Sequence, residues 1–484
     1  MILHPEQLGF NPKFQSFYPY QLSAMMEMVE SDKRFLVLKS PTGSGKTLMY
    51  LAYSRLMGLR TVIISPTKAL GEQLKVEAGS NLSIIHGHSS YSCYRGGSDD
   101  YDGYCSRSDC QYQPAVIRSL SAQETFTTHA HWMHLANSRR PNLLGSFGIL
   151  IIDEAHKVHD SICDSVEVVI KYNELRDYNL SSFPQSTDIN EWIAFSNKSL
   201  PKLLESSLRM KLSRLARADS KSWVFFKSRY DSVVFRPIWP TDFSSSHLFR
   251  DVSKVVFVSA TINEGHLSVL GLSPTDYDII NLPNPFPVEN RPFIFYSARP
   301  GIRLTYRSTE TQVQTLIRRA DEIIERRLLL KGTFHSRSFA YNKKILDNSR
   351  FSDLMVSHNS SGLAGVVSHF HQLEAPAILT SPSIFEGFDF GSIEYQIILK
   401  VPYPNKKDSP VIAARISQNK DFMIWDMISQ IMQAYGRGPR SVKQKTETWM
   451  LDYSWIDFYN KHRRKFDRYF RQAVRSSNNP YIGG

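Results

Sequence analysis

RFLVLKSPTGSGKTLMYLAYSRLM (residues 34–57) puts three signals side by side. RFLVLK is a short apolar run of the kind found in a strand covered on both faces, and LMYLAYSRLM has the composition of a helix. Between them lies SPTGSGKT (40–47). A glycine-rich loop joining a strand to a helix lets backbone N–H groups encircle a phosphate, and the helix N-terminus adds a favourable field. Gly43 and Gly45 permit the close approach, with Thr42 and Ser44 in the same loop. Lys46 would reach the β- and γ-phosphates of a nucleotide such as ATP, and Thr47 would hold Mg2+. Ser40 stands where such loops usually begin with glycine.

Outward from this stretch, the 484 residues are enough for about three domains. A hydrophobic share of 42% excludes global disorder. No apolar run approaches the roughly 18 residues of a membrane helix, and the N-terminus MILHPEQLGF lacks the regions of a signal peptide. The expectation is a soluble, cytoplasmic protein without a membrane partner. Four cysteines cannot form a disulfide scaffold. The net charge of +12 suits a polyanionic partner without specifying one.

Further strand-like runs follow: TVIISP (61–66), ILIID (149–153) and VVFVSA (255–260), then PFIFYSA (292–298), AILTS (377–381) and YQIILKV (395–401). Alternating with helical patterns, they predict an α/β chain with two parallel-sheet domains in tandem, joined through the proline-rich NLPNPFPVENRP (281–292). Two stretches interrupt the first set. Residues 87–114 contain no Val, Ile, Leu, Met or Phe and cannot offset their ordering entropy by burial. Residues 166–235 are polar and predicted to be largely helical, with SLPKLLESSLRMKLSRLARA (199–218) as an amphipathic helix. The expected division is a first domain in three parts (1–86, 115–165, 236–284), inserts at 87–114 and 166–235, and a second domain over 285–484.

Two more motifs complete the phosphate chemistry. In ILIIDEAH, adjacent carboxylates end a buried-type strand, where they are costly unless they meet a cation. Asp153 would bind Mg2+ and Glu154 would polarise an attacking water. In QAYGRGPR (433–440), Gln433, Arg437 and Arg440 are spaced along one helix end and its loop. Arg437 and Arg440 are candidate arginine fingers from the second domain, so hydrolysis would depend on closure of the two domains.

In this order the motifs resemble those of superfamily 2 helicases, and among them the XPD/DinG family. YPYQ (18–21) is similar to the adenine-recognising element, which implies that Gln21 reads the base. SPTKALGEQL (65–74) is similar to motif Ia, which would set Thr67 and Lys68 against a nucleic-acid backbone. VSATI (258–262) resembles motif III, with Ser259 and Thr261 coupling hydrolysis to movement on DNA. IFEGFDF (384–390) resembles motif V and carries Glu386 and Asp389 on the nucleotide side, and VPYP (401–404) follows it. THAHWMHL (128–135) occupies the place of a tyrosine-rich segment. The resemblance implies two tandem RecA-like motor domains, with a cysteine-rich insert and a helical arch-like insert in the first.

HGHSSYSC (86–93) and CQY (110–112) are similar to the flanks of that family's iron–sulfur module. This makes Cys93 and Cys110 the first and last ligands, with Cys105 between them; the family's fourth cysteine is missing. Three readings stay open: a [4Fe-4S] cluster with an oxygen or nitrogen ligand from Asp99, Asp100, Asp102, Asp109 or His88; zinc on three thiolates; or a metal-free loop. Cys163 matches a non-ligand position and reads as a small buried hydrophobe. The implied activity is that of a monomeric ATP-dependent 5′→3′ DNA helicase, loading on single-stranded DNA and opening forked or overhang duplexes. An RNA-directed or protein-displacing translocase with the same ATPase core is the alternative. Tyr91, Tyr94, Tyr101, Tyr104 and Trp132 are aromatic candidates for base stacking or for packing.

Overall fold

The computed structural model describes the chain outside residues 1–2, 79–81, 92–109, 139, 181, 187, 229–230, 360–361, 383–390, 408, 440, 442 and 481–484. It divides into two compact units. The first comprises Met1–Lys39, Thr47–Asn281 and Pro404–Met423; the second comprises Ser40–Lys46, Leu282–Tyr403 and Ile424–Gly484. The sequence placed 404–423 in the second domain, and the structure groups it with the first unit.

The first unit is built on strands β1 (Phe35–Lys39), β2 (Thr61–Ser65), β3 (Leu82–Ile84), β4 (Glu124–Thr128) and β5 (Ile149–Asp153). Next in the chain come β6 (Val168–Lys171), β7 (Trp223–Ser228) and β8 (Ser232–Pro237), then β9 (Lys254–Ser259) and β10 (Tyr277–Asn281). Seven of them form one sheet in the order β10-β1-β9-β5-β2-β4-β3, with every neighbouring pair parallel. The strands are buried on both faces, which explains their unbroken Ile, Leu and Val runs. Because all run the same way, the C-terminal ends of β1, β9 and β5 lie adjacent along one sheet edge. β4 (ETFTT) is buried despite its polar sequence. Its Glu124 receives both Nε and Nη2 of Arg55 at 2.9 Å, so the buried charge is paired in bidentate form.

β6, β8 and β7 form a separate antiparallel sheet, in that order. It packs with helices Ile189–Ser199 and Ser207–Ala216 around Trp192, Leu212 and Phe235. The stretch expected to be largely helical therefore also contains three strands. The long helix expected over 199–218 is divided. A 3-10 turn at Leu200–Lys202 ends with Leu203 extended, and Ser206 restarts the chain by accepting the Arg209 N–H at 3.2 Å.

The second unit holds β11 (Phe293–Tyr296), β12 (Lys331–His335), β13 (Met355–Val356), β14 (Ala377–Ser381), β15 (Tyr395–Ile398), β16 (Glu447–Met450) and β17 (Val474–Ser477). Their order is β13-β14-β12-β15-β16-β11-β17, again all parallel. Alternate residues of β11 feed two cores: Ile294 and Tyr296 join Ile317 and Trp449, while Phe293 and Phe295 join Trp455 and Phe470. The basic stretch 461–475 covers a helix end at His462, a 3-10 turn Arg463–Lys465, helix Arg468–Ala473 and the start of β17. Among the described residues, no helix is long and apolar enough to cross a membrane.

Candidate active site

The loop after β1 takes the form its sequence requires. Gly43 and Gly45 have φ of 79° and 77°, where a Cβ would be strained. The Ser44 hydroxyl and N–H bond the Pro41 carbonyl at 2.7 and 3.2 Å, and the Ser40 and Ser44 hydroxyls bond each other. Ser40, the departure from the usual glycine, thus ties the loop together. Lys46 and Thr47 open helix Lys46–Met57, and Thr47 is buried. Within the second unit, a Cβ on Gly43 would stand 2.7 Å from Phe286 Cζ, and one on Gly436 would stand 2.6 Å from Thr42 Oγ1. Thr42, Phe286, Tyr435 and Gly436 line a cavity of about 20 Å³.

At the end of β5, Asp153 is 2% exposed and its Oδ1 accepts the Glu154 N–H at 2.9 Å. Glu154 sits in the left-handed region at φ 49°, ψ 43°, a conformation that costs an ordinary residue about 1–2 kcal/mol. Surrounding structure must hold it there. His156 lies beyond it in the 3-10 turn Ala155–Lys157. Its Nδ1 is 2.9 Å from Ser259 Oγ at the end of β9 and 3.4 Å from Glu154 Oε2. Ser259 Oγ in turn accepts the Thr261 N–H at 3.0 Å. ILIIDEAH and VSATI are therefore physically joined.

Tyr50 tests whether Mg2+ suits this edge. Burial, and then the Asp153 charge, push the pKa of its buried hydroxyl well above the usual phenol value. Thr47 is the neighbouring hydroxyl that opposes this rise. The Thr47 hydroxyl and the Asp153 carboxylate, both of which act on this phenol, are hard oxygen donors, the kind Mg2+ takes in small number alongside phosphate oxygens. They fit the ion.

Sequence reasoning gave no role to His129 or His156. His129 begins the helix His129–Asn137, and burial lowers its pKa to about 4, so it is neutral at physiological pH. The Asp153 backbone and the Glu154 charge both act on the ring, opposing the effect of burial. The signal was present as the first His of THAHWMHL, but nothing local ties that segment to DEAH. Only the β4–β2–β5 pairing does so.

The other predicted residues are placed as follows. Gln21 is buried, and its Oε1 accepts the Tyr18 N–H at 2.9 Å, capping helix Pro19–Glu30. Thr67 and Lys68 are exposed just after β2, with Lys68 Nζ 2.7 Å from Ser90 Oγ. Gln433 lies in helix Lys420–Tyr435, and Arg437 follows it, near enough to the buried His335 to disfavour that ring's protonation. Arg440, Glu386, Asp389, Cys93 and Cys105 lie outside the described residues. Cys110 is half-buried and packs against the first unit's core. Among the described residues no cluster of His, Cys, Asp and Glu could hold a metal ion by itself. Trp132 is core packing rather than a stacking platform: it is buried, donates to the Leu248 carbonyl at 3.0 Å and lies under Arg250. Tyr91 packs edge-on against Tyr112. Cys163 is buried, as a non-ligand position would be, and burial pushes its thiol up to about 12.

A cavity of about 1140 Å³ lies between helices His129–Asn137 and Ser207–Ala216. Arg209, Arg214 and Arg217 on its wall are matched by Glu205, Asp219 and Asp242, so its charge is balanced. It includes none of the candidate phosphate-handling residues.

The family described as DEAD/DEAH box helicase matches residues 18–196, which contain both the loop and the carboxylate pair. A solved structure titled XPD_Helicase aligns over 95% of this chain and 99% of its own, with a TM-score of 0.60 and 16% identity. The chain thus carries a DEAD/DEAH box helicase domain over 18–196 and a fold similar to that of the XPD structure. A second XPD-like structure, Xpd4 of S. tokodaii, covers 95% of this chain and 100% of its own, at a TM-score of 0.60 and 12% identity. A third, titled XPD_APO, gives 0.58 at 15% identity over 95% of this chain and 100% of its own. No curated protein matches the sequence.

Proposed function

We propose that this XPD-like chain is a monomeric ATP-dependent DNA helicase that loads on single-stranded DNA, moves 5′→3′ and opens forked or overhang duplexes. The observation that carries the reading is the shared sheet edge. The loop after β1, Ser259 after β9 and Asp153–Glu154 after β5 end on adjacent parallel strands. In open parallel sheets ligands bind beyond the carboxyl ends of the strands.

In this reading Lys46 binds the β- and γ-phosphates, and backbone N–H groups of 42–47 orient them. Thr47 and Asp153 would hold Mg2+, which when bound neutralises phosphate charge. Glu154, fixed by its left-handed backbone, orients the attacking water and takes its proton. Arg437 and Arg440 stabilise charge on the departing phosphoryl group, with Gln433 beside them. Gln21 recognises adenine in this reading. Glu386 and Asp389 complete the nucleotide side, Thr67 and Lys68 follow the DNA backbone, and the buried Ser259 and Thr261 couple hydrolysis to movement on it. Strand displacement on duplexes with a 5′ or a 3′ single-stranded tail tests the polarity: the 5′-tailed substrate should open. Opening only the 3′-tailed substrate overturns it, and displacement on RNA alone favours the RNA-directed alternative.

The cysteine insert is read as a [4Fe-4S] site on Cys93, Cys105 and Cys110. The physical support is that 87–114 lacks the aliphatic residues to order itself and needs another staple. Anaerobically purified protein should contain iron and acid-labile sulfide, and Cys105→Ser should lose both. Stoichiometric zinc, or no metal, contradicts this assignment.

A further inference from the structure

Segment 404–423 leaves the second unit for the first and rejoins the second inside helix Lys420–Tyr435, which carries Gln433. Its helix Pro410–Gln418 is anchored by one arginine. Arg415 is 6% exposed. Nη1 donates to Asp160 Oδ1 at 2.8 Å, Nε donates to the Ile238 carbonyl at 2.9 Å, and Nη2 lies 3.8 Å from Cys163 Sγ. The guanidinium also faces the rings of Trp239 and Phe422 at 5.2 and 5.9 Å. Gln418 adds a second tie, accepting from Trp239 Nε1 at 2.8 Å and donating to the Lys221 carbonyl at 3.1 Å.

Asp160 and Cys163 belong to helix Val158–Val166, which begins where the 3-10 turn of DEAH ends. That turn must hold Glu154 in the left-handed region, so the seating of the helix governs where the Glu154 carboxylate points. Asp160 also meets His159 Nε2 at 3.3 Å and Arg236 Nη2 at 3.5 Å. The Asp160 carboxylate is held down by the His159 ring, whose own pKa burial lowers, and by two guanidinium groups. Of these, Arg415 is the closer and the more buried.

We propose that Arg415 is a positioning residue for ATP hydrolysis: by holding Asp160 it seats helix Val158–Val166 and thereby aims Glu154 at the water. This rests on the ATPase reading above. It makes segment 404–423, remote from the phosphate loop in sequence, part of the hydrolytic machinery.

The test uses the full chain with Arg415→Ala, Arg415→Lys, Asp160→Asn and the Arg415→Ala/Asp160→Asn double variant. ATP turnover is measured with single-stranded oligo-dT, and backbone hydrogen exchange is followed over 153–166. Arg415→Ala should lower kcat about tenfold with the KM for ATP within about threefold, the split expected when binding is kept and transition-state alignment lost. Exchange over 153–166 should quicken, and Arg415→Lys should recover part of kcat. The double variant should be no worse than Arg415→Ala alone. Asp160→Asn leaves the Arg415 bonds to Ile238 and Cys163 in place, so it remains informative should Arg415→Ala fail to fold. Unchanged kcat in the single variants, or fully additive losses, overturns the proposal. Should the wild-type chain not hydrolyse ATP, the ATPase reading fails, and unchanged exchange in the variants separately removes the seating role of Arg415.

Discussion

His156 Nδ1 and Ser259 Oγ lie 2.9 Å apart, joining the turn that carries Glu154 to the strand end that carries Thr261. Ser259 is fully buried, and its oxygen also receives the Thr261 N–H. This hydroxyl thus links VSATI to DEAH in addition to the β5–β9 pairing. Ser259→Ala removes that link and leaves His156 Nδ1 with Glu154 Oε2 at 3.4 Å. A lost hydrogen bond of about 1 kcal/mol corresponds to roughly fivefold. Nucleic-acid-stimulated kcat should fall by at least that factor while ATP affinity stays within about twofold, as read from stimulated and unstimulated turnover.

Lys46→Ala should abolish both ATP binding and turnover, because no other lysine of 40–47 can approach the phosphates. Glu154→Gln should bind ATP normally and turn it over at least about 10²-fold more slowly, the range associated with a positioned base. Equilibrium binding of a fluorescent ATP analogue alongside steady-state turnover separates the two variants.

Acid should destabilise the fold before the carboxylates titrate. Burial lowers His129 to about 4, and His131 and His335 to about 3. In the unfolded chain each titrates near 6.5, so the unfolded state binds more protons below that pH. Their stabilisation is fully present above about 6.5 and is lost as pH falls towards 4 and then 3, by up to about 1.4 kcal/mol per pH unit for each ring. Thermal unfolding at pH 7.5, 6 and 5 should show a falling midpoint; a constant or rising one contradicts these assignments.

The Arg55–Glu124 pair is buried on both sides, with Arg55 also donating to the Leu8 carbonyl at 2.8 Å. Removing one member strands the other. Glu124→Ala should destabilise the first unit by about 3–5 kcal/mol, measured by urea unfolding. A change below about 1 kcal/mol would mean that solvent reaches Arg55.

The strands that sequence showed plainly, RFLVLK, TVIISP, ILIID, VVFVSA, PFIFYSA, AILTS and YQIILKV, become β1, β2, β5, β9, β11, β14 and β15. All are apolar enough to declare burial on two faces. ETFTT (β4) and KGTFH (β12) were hidden for tertiary reasons. Glu124 is tolerated because Arg55 reaches it, and Gly332 is required because a Cβ there would stand 2.2 Å from the Tyr395 ring. The phosphate loop and the carboxylate pair were legible because their chemistry is local: glycines at positive φ, then Lys-Thr; two acids ending a strand. His129, Arg415 and Asp160 were not, since each acts through a partner brought near only by the folded chain.

The most direct measurement of the central claim is ATP turnover by the purified chain with oligo-dT, with oligo-U of equal length, and without polymer. Turnover should rise severalfold with oligo-dT and should vanish in Lys46→Ala under the same conditions. Equal turnover in all three mixtures, or turnover that survives Lys46→Ala, would contradict a nucleic-acid-driven motor built on this sheet edge.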